Sequence, residues 1–211
     1  MKGITAVCTS CNRPDLLEIT INSFFKYNKY PLSDFIIIDD SGVIGCNDFL
    51  LQKYPNLTLI YNEENLGQIA SIDKAYSKVK TDYVFHLEED WEFHKEGFLE
   101  DALEIIEIHD KLICIWARDP QDTPHPTYED EYITPSGKIV KQLIRDFHGH
   151  WTGFTFNPSL KKMKDYQGYS HIGRELELSK YYGSLGYFAM IFKEGYCKHI
   201  GWGRHVIDKG E

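Results

Sequence analysis

Apolar and polar positions alternate along the chain in blocks that predict strands and helices in turn. An apolar run over residues 4–8 predicts a first strand, and Thr9-Ser10-Cys11-Asn12-Arg13 a polar turn. Pro14 follows, a residue favoured in the first turn of a helix, and Leu16, Leu17, Ile21, Phe24 and Phe25 recur with roughly helical spacing. Phe35-Ile36-Ile37-Ile38 predicts an apolar strand ending abruptly in Asp39-Asp40-Ser41-Gly42. Residues 57–61 predict another strand, then a polar turn closing on Gly67 and a helix carrying Ile69, Ile72, Tyr76 and Val79. The strand over 83–87 runs straight into Glu88-Glu89-Asp90. Residues 98–108 read as an amphipathic helix and 112–116 as a strand.

Strands alternating with helices imply right-handed βαβ units and a mostly parallel sheet, and uninterrupted apolar strands imply helices on both its faces. After about Arg118 the pattern changes. Pro120, Pro124, Pro126 and Pro135 break up a loop-rich stretch with a hairpin near Ser136-Gly137. A helix over about 174–182 and apolar runs at 187–192 and 196–200 close the chain. No repeat or low-complexity tract is visible. The simplest organisation is one α/β domain over 1–211, with a nucleotide-type half over about 1–117 and an elaborated half over about 118–211.

Composition narrows the classes of partner. The 211 residues are 42% hydrophobic and 26% charged, as in ordinary globular proteins. A net charge of −9 argues against nucleic acid, and Lys161, Lys162 and Lys164 read as a solvated helix face. Many aromatic residues fall in the last third (Tyr166, Tyr169, Tyr181, Tyr182, Tyr187), where core packing is their ordinary use. Five irregularly spaced cysteines fit a reducing compartment, and no signal stretch or membrane-length apolar run appears. The expectation is a cytoplasmic protein, peripheral to a membrane at most through its acceptor. Cys8-Thr9-Ser10-Cys11 is formally Cys-x-x-Cys, but its first cysteine ends a strand and the helix starts only later. Neither a Walker-type phosphate loop nor a Gly-x-Ser-x-Gly elbow is present.

Ligands of open α/β sheets bind beyond the carboxyl ends of the strands. Three polar clusters sit there: residues 9–13, Asp39-Asp40, and Glu88-Glu89-Asp90. Any one aspartate at such a place could simply cap the next turn. The triplet is the sharpest feature, because three adjacent carboxylates repel unless protons or a cation neutralise them. Oxygen donors suit Mg²⁺ or Mn²⁺ with positions left for diphosphate oxygens.

With these motifs in this order the chain resembles the family 2 type of GT-A glycosyltransferases. The resemblance rests on Thr9-Ser10-Cys11-Asn12-Arg13-Pro14, Ile37-Ile38-Asp39-Asp40-Ser41, Asn65-Leu66-Gly67 and the Asp-x-Asp-like Glu88-Glu89-Asp90. It covers residues 3–110 well, and the rest through Phe154-Thr155-Phe156-Asn157-Pro158 and Lys198-His199-Ile200-Gly201-Trp202-Gly203. It implies a metal-dependent transfer of sugar from a nucleoside-diphosphate donor, a UDP-sugar favoured, to a glycan, lipid-linked or protein acceptor. Asp39 would hold the base or ribose, Thr9 and Arg13 would line the pocket, and Asn65 and Gly67 would approach the donor. Asp73 or Lys74 would face it from the next helix. Asp90 would bind the metal, with Glu88 and Glu89 near the nucleotide-sugar, and His199 would complete the metal site. Glu88 departs from the motif, which usually has Asp there. His148, His150 and His205 are weaker candidates.

For inversion the resemblance implies a late carboxylate base at a helix start, Glu175 first and Glu177 second. Two residues apart on a helix, only one of the two can face the site. Trp151, Phe154 and Asn157 would form the acceptor platform. A sugar-1-phosphate nucleotidyltransferase is one alternative, though residues 9–13 lack its glycine-rich basic loop. A non-catalytic sugar-binding module on the same scaffold is the other.

Overall fold

The computed structural model describes residues 2–122, 126–145 and 151–204. His148, His150 and His205 lie outside the described residues. Strand β1 (Ile4–Ser10) is buried along its whole length, as a central strand must be. Helix α1 (Pro14–Tyr27) starts on its proline and buries Leu16, Leu17, Ile21 and Phe24. β2 (Asp34–Asp39), β3 (Thr58–Tyr61), α2 (Gln68–Tyr76) and β4 (Tyr83–Glu88) complete the first half. Then come β5 (Trp91–Phe93), α3 (Phe98–Ile108), β6 (Leu112–Trp116) and the hairpin of β7 (Thr127–Ile133) and β8 (Ile139–Leu143). β9 (Ser159–Lys162), α4 (Glu175–Ser184), β10 (Phe188–Phe192) and β11 (Cys197–His199) follow.

Nine strands form one sheet in the order β3-β2-β1-β4-β9-β6-β10-β8-β7, and β11 and β5 form a small second one. β3, β2, β1 and β4 run parallel, as do β6 and β10. β9 is wedged antiparallel between β4 and β6 and so joins the two parallel groups. Alternate residues of β1 feed opposite cores. Ile4, Ala6 and Cys8 pack with Phe24 of α1 and Phe98 of α3, while Val7 packs with Ile72 and Tyr76 of α2. Phe24 is the hub of the first core, edge-on to Phe35 at 4.9 Å and to Phe93 at 5.2 Å. Aromatic pairs in this geometry add to what burial alone contributes.

Most predicted elements lie where the periodicity puts them; β9 does not. Lys161 and Lys162, read from sequence as a solvated helix face, lie in this strand at only 2% and 6% exposure. Lys162 escapes sideways, its ammonium donating to the carbonyls of His109 at 2.7 Å and Asp110 at 3.4 Å. Lys161 stays inside, donating to Ser159 Oγ at 2.6 Å. Four residues carrying two lysines give no apolar run to detect.

Candidate active site

The register of the sheet aligns the polar strand ends. Thr9 pairs with Glu88 on one side and with Ile38 on the other, and Ser10 pairs with Asp39. Beyond them opens a cleft of about 530 Å³. Its floor and walls include Thr9, Arg13, Asp40, Glu88, Glu89, Asp90 and Gln68. The second half of the chain contributes Arg118, Asn157, His199 and Trp202.

Asp90 is the most constrained group there. It is 5% exposed, and its Oδ2 lies 2.8 Å from Arg13 Nη1 and 3.2 Å from His199 Nε2. Its Oδ1 is buried with no hydrogen-bond partner. Burial works to raise its pKa, but the hydrogen bond with His199 and the charge of Arg13 outweigh it and hold the carboxyl below its ordinary value. β11 delivers His199 by pairing it with Trp91 of β5, and the Ile200 N–H donates to the Asp90 carbonyl at 2.8 Å. Gly201 lies against Asp90, where a Cβ would collide with the carboxylate.

Glu89 turns into the β1 loop, accepting the Cys11 N–H at 3.0 Å and Arg13 Nε at 2.9 Å. Glu88 accepts a hydrogen bond from Gln68 Nε2 at 2.8 Å. Burial, then the charges of Asp90, Glu175 and Glu89, push its pKa up to about 8. Part of the repulsion foreseen in the triplet is thus met by the protein itself, through the guanidinium of Arg13.

Glu175, half-buried at the start of α4, reaches the segment that carries the cleft residue Asn157. Its Oε2 accepts the Phe156 N–H at 2.9 Å and the Thr155 hydroxyl at 3.1 Å. Thr155 Oγ1 in turn accepts from Asn157 Nδ2 at 2.6 Å, and Asn157 Oδ1 accepts from Arg118 Nη1 at 3.2 Å. Burial raises the Glu175 pKa, opposed by these hydrogen bonds and by Lys161 and Arg118. Glu177 is exposed and folds over Gly173, apart from this network.

Several expected site residues do other work. Asp39 accepts from the Ser41 N–H at 2.9 Å, from the Ser41 hydroxyl and from Asn47 Nδ2 at 2.8 Å, and it is Asp40 that reaches the cleft wall. Asp40 is itself the anchor of the next loop, accepting Leu66 N–H, Gly67 N–H and Asn65 Nδ2 at 2.8, 2.8 and 3.1 Å. Gly67 is required for its φ of +86° at the start of α2, and Asn65 for this anchoring; neither lines the cleft. Asp73 faces away, holding Tyr166, Tyr169 and Ser170, because both its oxygens are taken by their hydroxyls and N–H groups. Lys74 reaches Asn62 Oδ1 at 2.6 Å instead of the cleft. Phe154 is fully buried and stacks on Tyr182 at 5.3 Å, so it offers no acceptor surface. Trp151 packs edge-on against Trp116 at 5.3 Å.

Sequence reasoning missed Arg118, Gln68 and Trp202. Arg118 follows the apolar strand β6, and the strand-end rule applied to Asp39 and Glu88 would have found it. Trp202 is 59% exposed and edge-on to His199 at 4.7 Å. Among the described residues no group of three or more His, Cys, Asp or Glu side chains is arranged to hold a metal alone.

A doubly covered, mostly parallel sheet with an acid-lined cleft at its strand ends is the architecture of the GT-A class, and solved structures carry the same fold. The mannosyltransferase PcManGT of Pyrobaculum calidifontis, in complex with GDP-Man and Mn²⁺, superposes with a TM-score of 0.68 at 14% identity, over 95% of this chain and 57% of that one. S. aureus TarS 1-349 in complex with UDP-GlcNAc gives 0.65 at 16%, over 98% of this chain and 62% of that one. The sequence profile of glycosyl transferase family 2 matches residues 5–170, and the chain belongs to that family. A further relative is the provisionally named teichuronic acid biosynthesis glycosyltransferase TuaG of Bacillus subtilis (strain 168). It is 30% identical over 107 residues, which are 49% of this chain and 41% of that protein. The chain spans less than two thirds of the length of each of these three proteins.

Proposed function

We propose that this chain transfers a glycosyl group from a nucleoside-diphosphate sugar, a UDP-sugar favoured, to an acceptor hydroxyl with inversion. The observation that carries the reading is the convergence of Thr9, Asp40, Glu88 and Asp90 on one cleft, with Arg118, Asn157 and His199 closing it from the second half. The UDP-GlcNAc and GDP-Man named for the structural neighbours support the donor class.

Asp90 and His199 fit a divalent cation, Mn²⁺ or Mg²⁺. They supply adjacent oxygen and nitrogen donors, and Asp90 Oδ1 is buried without a partner. Such an ion supplies positive charge for the departing diphosphate. Arg13 and Arg118, both on the cleft wall, add fixed positive charge. Glu175 is the base: it takes the acceptor proton as the hydroxyl oxygen bonds to the anomeric carbon and the bond to the diphosphate breaks. Its Oε2 is committed to Phe156 and Thr155, which orients the group, and Oε1 makes no hydrogen bond within the described residues. Asn157 and the exposed Trp202 are the acceptor-side groups, replacing Phe154 in that role. Five free cysteines, buried or half-buried, support a reducing, cytoplasmic location. No helix among the described residues is long and apolar enough to cross a membrane.

Thermal unfolding with UDP, GDP, dTDP and CMP, each with and without Mn²⁺, tests the reading. One diphosphate, UDP first, raises the melting temperature, and more so with Mn²⁺. Asp90→Asn abolishes the Mn²⁺ increment, and Glu175→Gln lowers transfer by about 10²–10⁴-fold while leaving nucleotide binding intact. No response to any nucleotide sinks the proposal, and release of pyrophosphate in place of nucleoside diphosphate replaces it with nucleotidyl transfer.

A further inference from the structure

Lys161 is an ammonium inside a hydrophobic sheet. It is 2% exposed and sits mid-strand in β9 opposite Val84 of β4. Ser159 Oγ, at 2.6 Å, is a neutral partner, and the rings of Phe154 and Phe156, 5.7 and 6.0 Å from Nζ, offer only partial charge. A buried cation is retained at such a cost only where anions answer it. The same short segment that contacts Lys161 also holds Glu175. Phe156 turns its ring to Lys161 and its N–H to Glu175 Oε2. Ser159 Oγ donates to the carbonyl of Asn157, whose side chain fixes Thr155 against Glu175.

We propose that Lys161 is a positioning residue for Glu175: from behind residues 154–159 its ammonium keeps the Glu175 carboxylate ionised, so that it can accept the acceptor's proton. The proposal rests on the reading of Glu175 as the base. The groups facing this pair can be named by element. β4 contributes Glu88 and His86, β6 contributes Cys114, the segment after it Arg118, and β9 Lys161 itself. Burial raises Glu175, and the Phe156 N–H, the Thr155 hydroxyl, Lys161 and Arg118 oppose it. Burial lowers Lys161 to about 8, opposed by Cys114, Glu175 and Glu88. Each of the two charges thereby favours the other.

The test is an infrared titration of the Glu175 carboxylate in the whole protein, with Glu175→Gln as the spectral blank. Replacing the charge by a similar apolar volume in Lys161→Met raises the Glu175 midpoint by about one pH unit. Lys161→Arg, which keeps the charge, returns it towards the native value. An unmoved midpoint in Lys161→Met overturns the proposal, because a purely structural lysine would not shift it. Should Lys161→Met not fold, Lys161→Gln keeps a hydrogen-bonding group near Ser159 and is expected to show the same shift. In the native protein, Glu175 found protonated at pH 7 also overturns the proposal. Transfer that survives Glu175→Gln removes the base assignment instead, whatever the titration shows.

Discussion

Asp73 shows how much one side chain can fasten. Its two oxygens accept from the Tyr166 hydroxyl, the N–H groups of Tyr169 and Ser170, and the Ser170 hydroxyl, all within 2.6–2.8 Å. Burial would raise its pKa, but these donors prevail and lower it. The folded carboxyl therefore has the lower pKa of the two states. Its stabilising contribution is full above the ordinary carboxylate range and is lost as pH falls through the folded value. Asp73→Ala is expected to cost about 2–3 kcal/mol at pH 7 in urea denaturation, and visibly less near pH 3. In sequence Asp73 looked like a donor-facing group, because helix position alone does not reveal which partners the distant residues 166–170 bring. Asp90 was readable for the opposite reason: its place at a strand end is a local fact. Gly201 was quoted only as part of a motif, and its reason emerges from the fold. Gly201→Ala should displace Asp90 and weaken the Mn²⁺-dependent melting shift, measured beside the unaltered protein.

Helix α4 illustrates how an element's packing reaches the chemistry. It carries Glu175 in its first turn and Gly183 near its end. Gly183 approaches Thr152 so closely that a Cβ would overlap its methyl. On the same face the Thr152 N–H and hydroxyl donate to Ser179 Oγ and the Ser179 carbonyl, each at 2.7 Å. Gly183→Ala must push α4 off this contact, at about 1–3 kcal/mol by chemical denaturation. Transfer should fall further than stability alone explains, since Glu175 moves with the helix. Strands β1, β2, β4 and β6 were legible as short uninterrupted apolar runs ended by polar residues, and α1 and α3 by their helical spacing. β5 and β9 were not: three and four residues leave no period to count, and the two lysines of β9 concealed a buried strand.

Across the whole molecule the sheet does not divide where the sequence pattern changes. β4 closes the first parallel group, and its outer edge is covered by β9, which comes from the second half of the chain. A fragment of residues 1–117 would leave β4 unpaired on that side and lack β9 and α4. It should aggregate or remain partly unfolded, as judged by gel filtration and circular dichroism beside the full chain. The cleft obeys the same division: Thr9 and Glu88 were readable from strand ends in the first half, whereas Trp202 depended on how the last segment returns to it.

The position of β9 also has a consequence in time. During synthesis the first four parallel strands emerge well before the strand that seals their edge, and α3, β6 and the β7–β8 hairpin are made in between. The sheet can be completed only by long-range closure, a slow kind of folding step. Until then the nascent chain presents an open strand edge, which makes that interval the protein's most vulnerable to misassociation and the one in which a chaperone would help most.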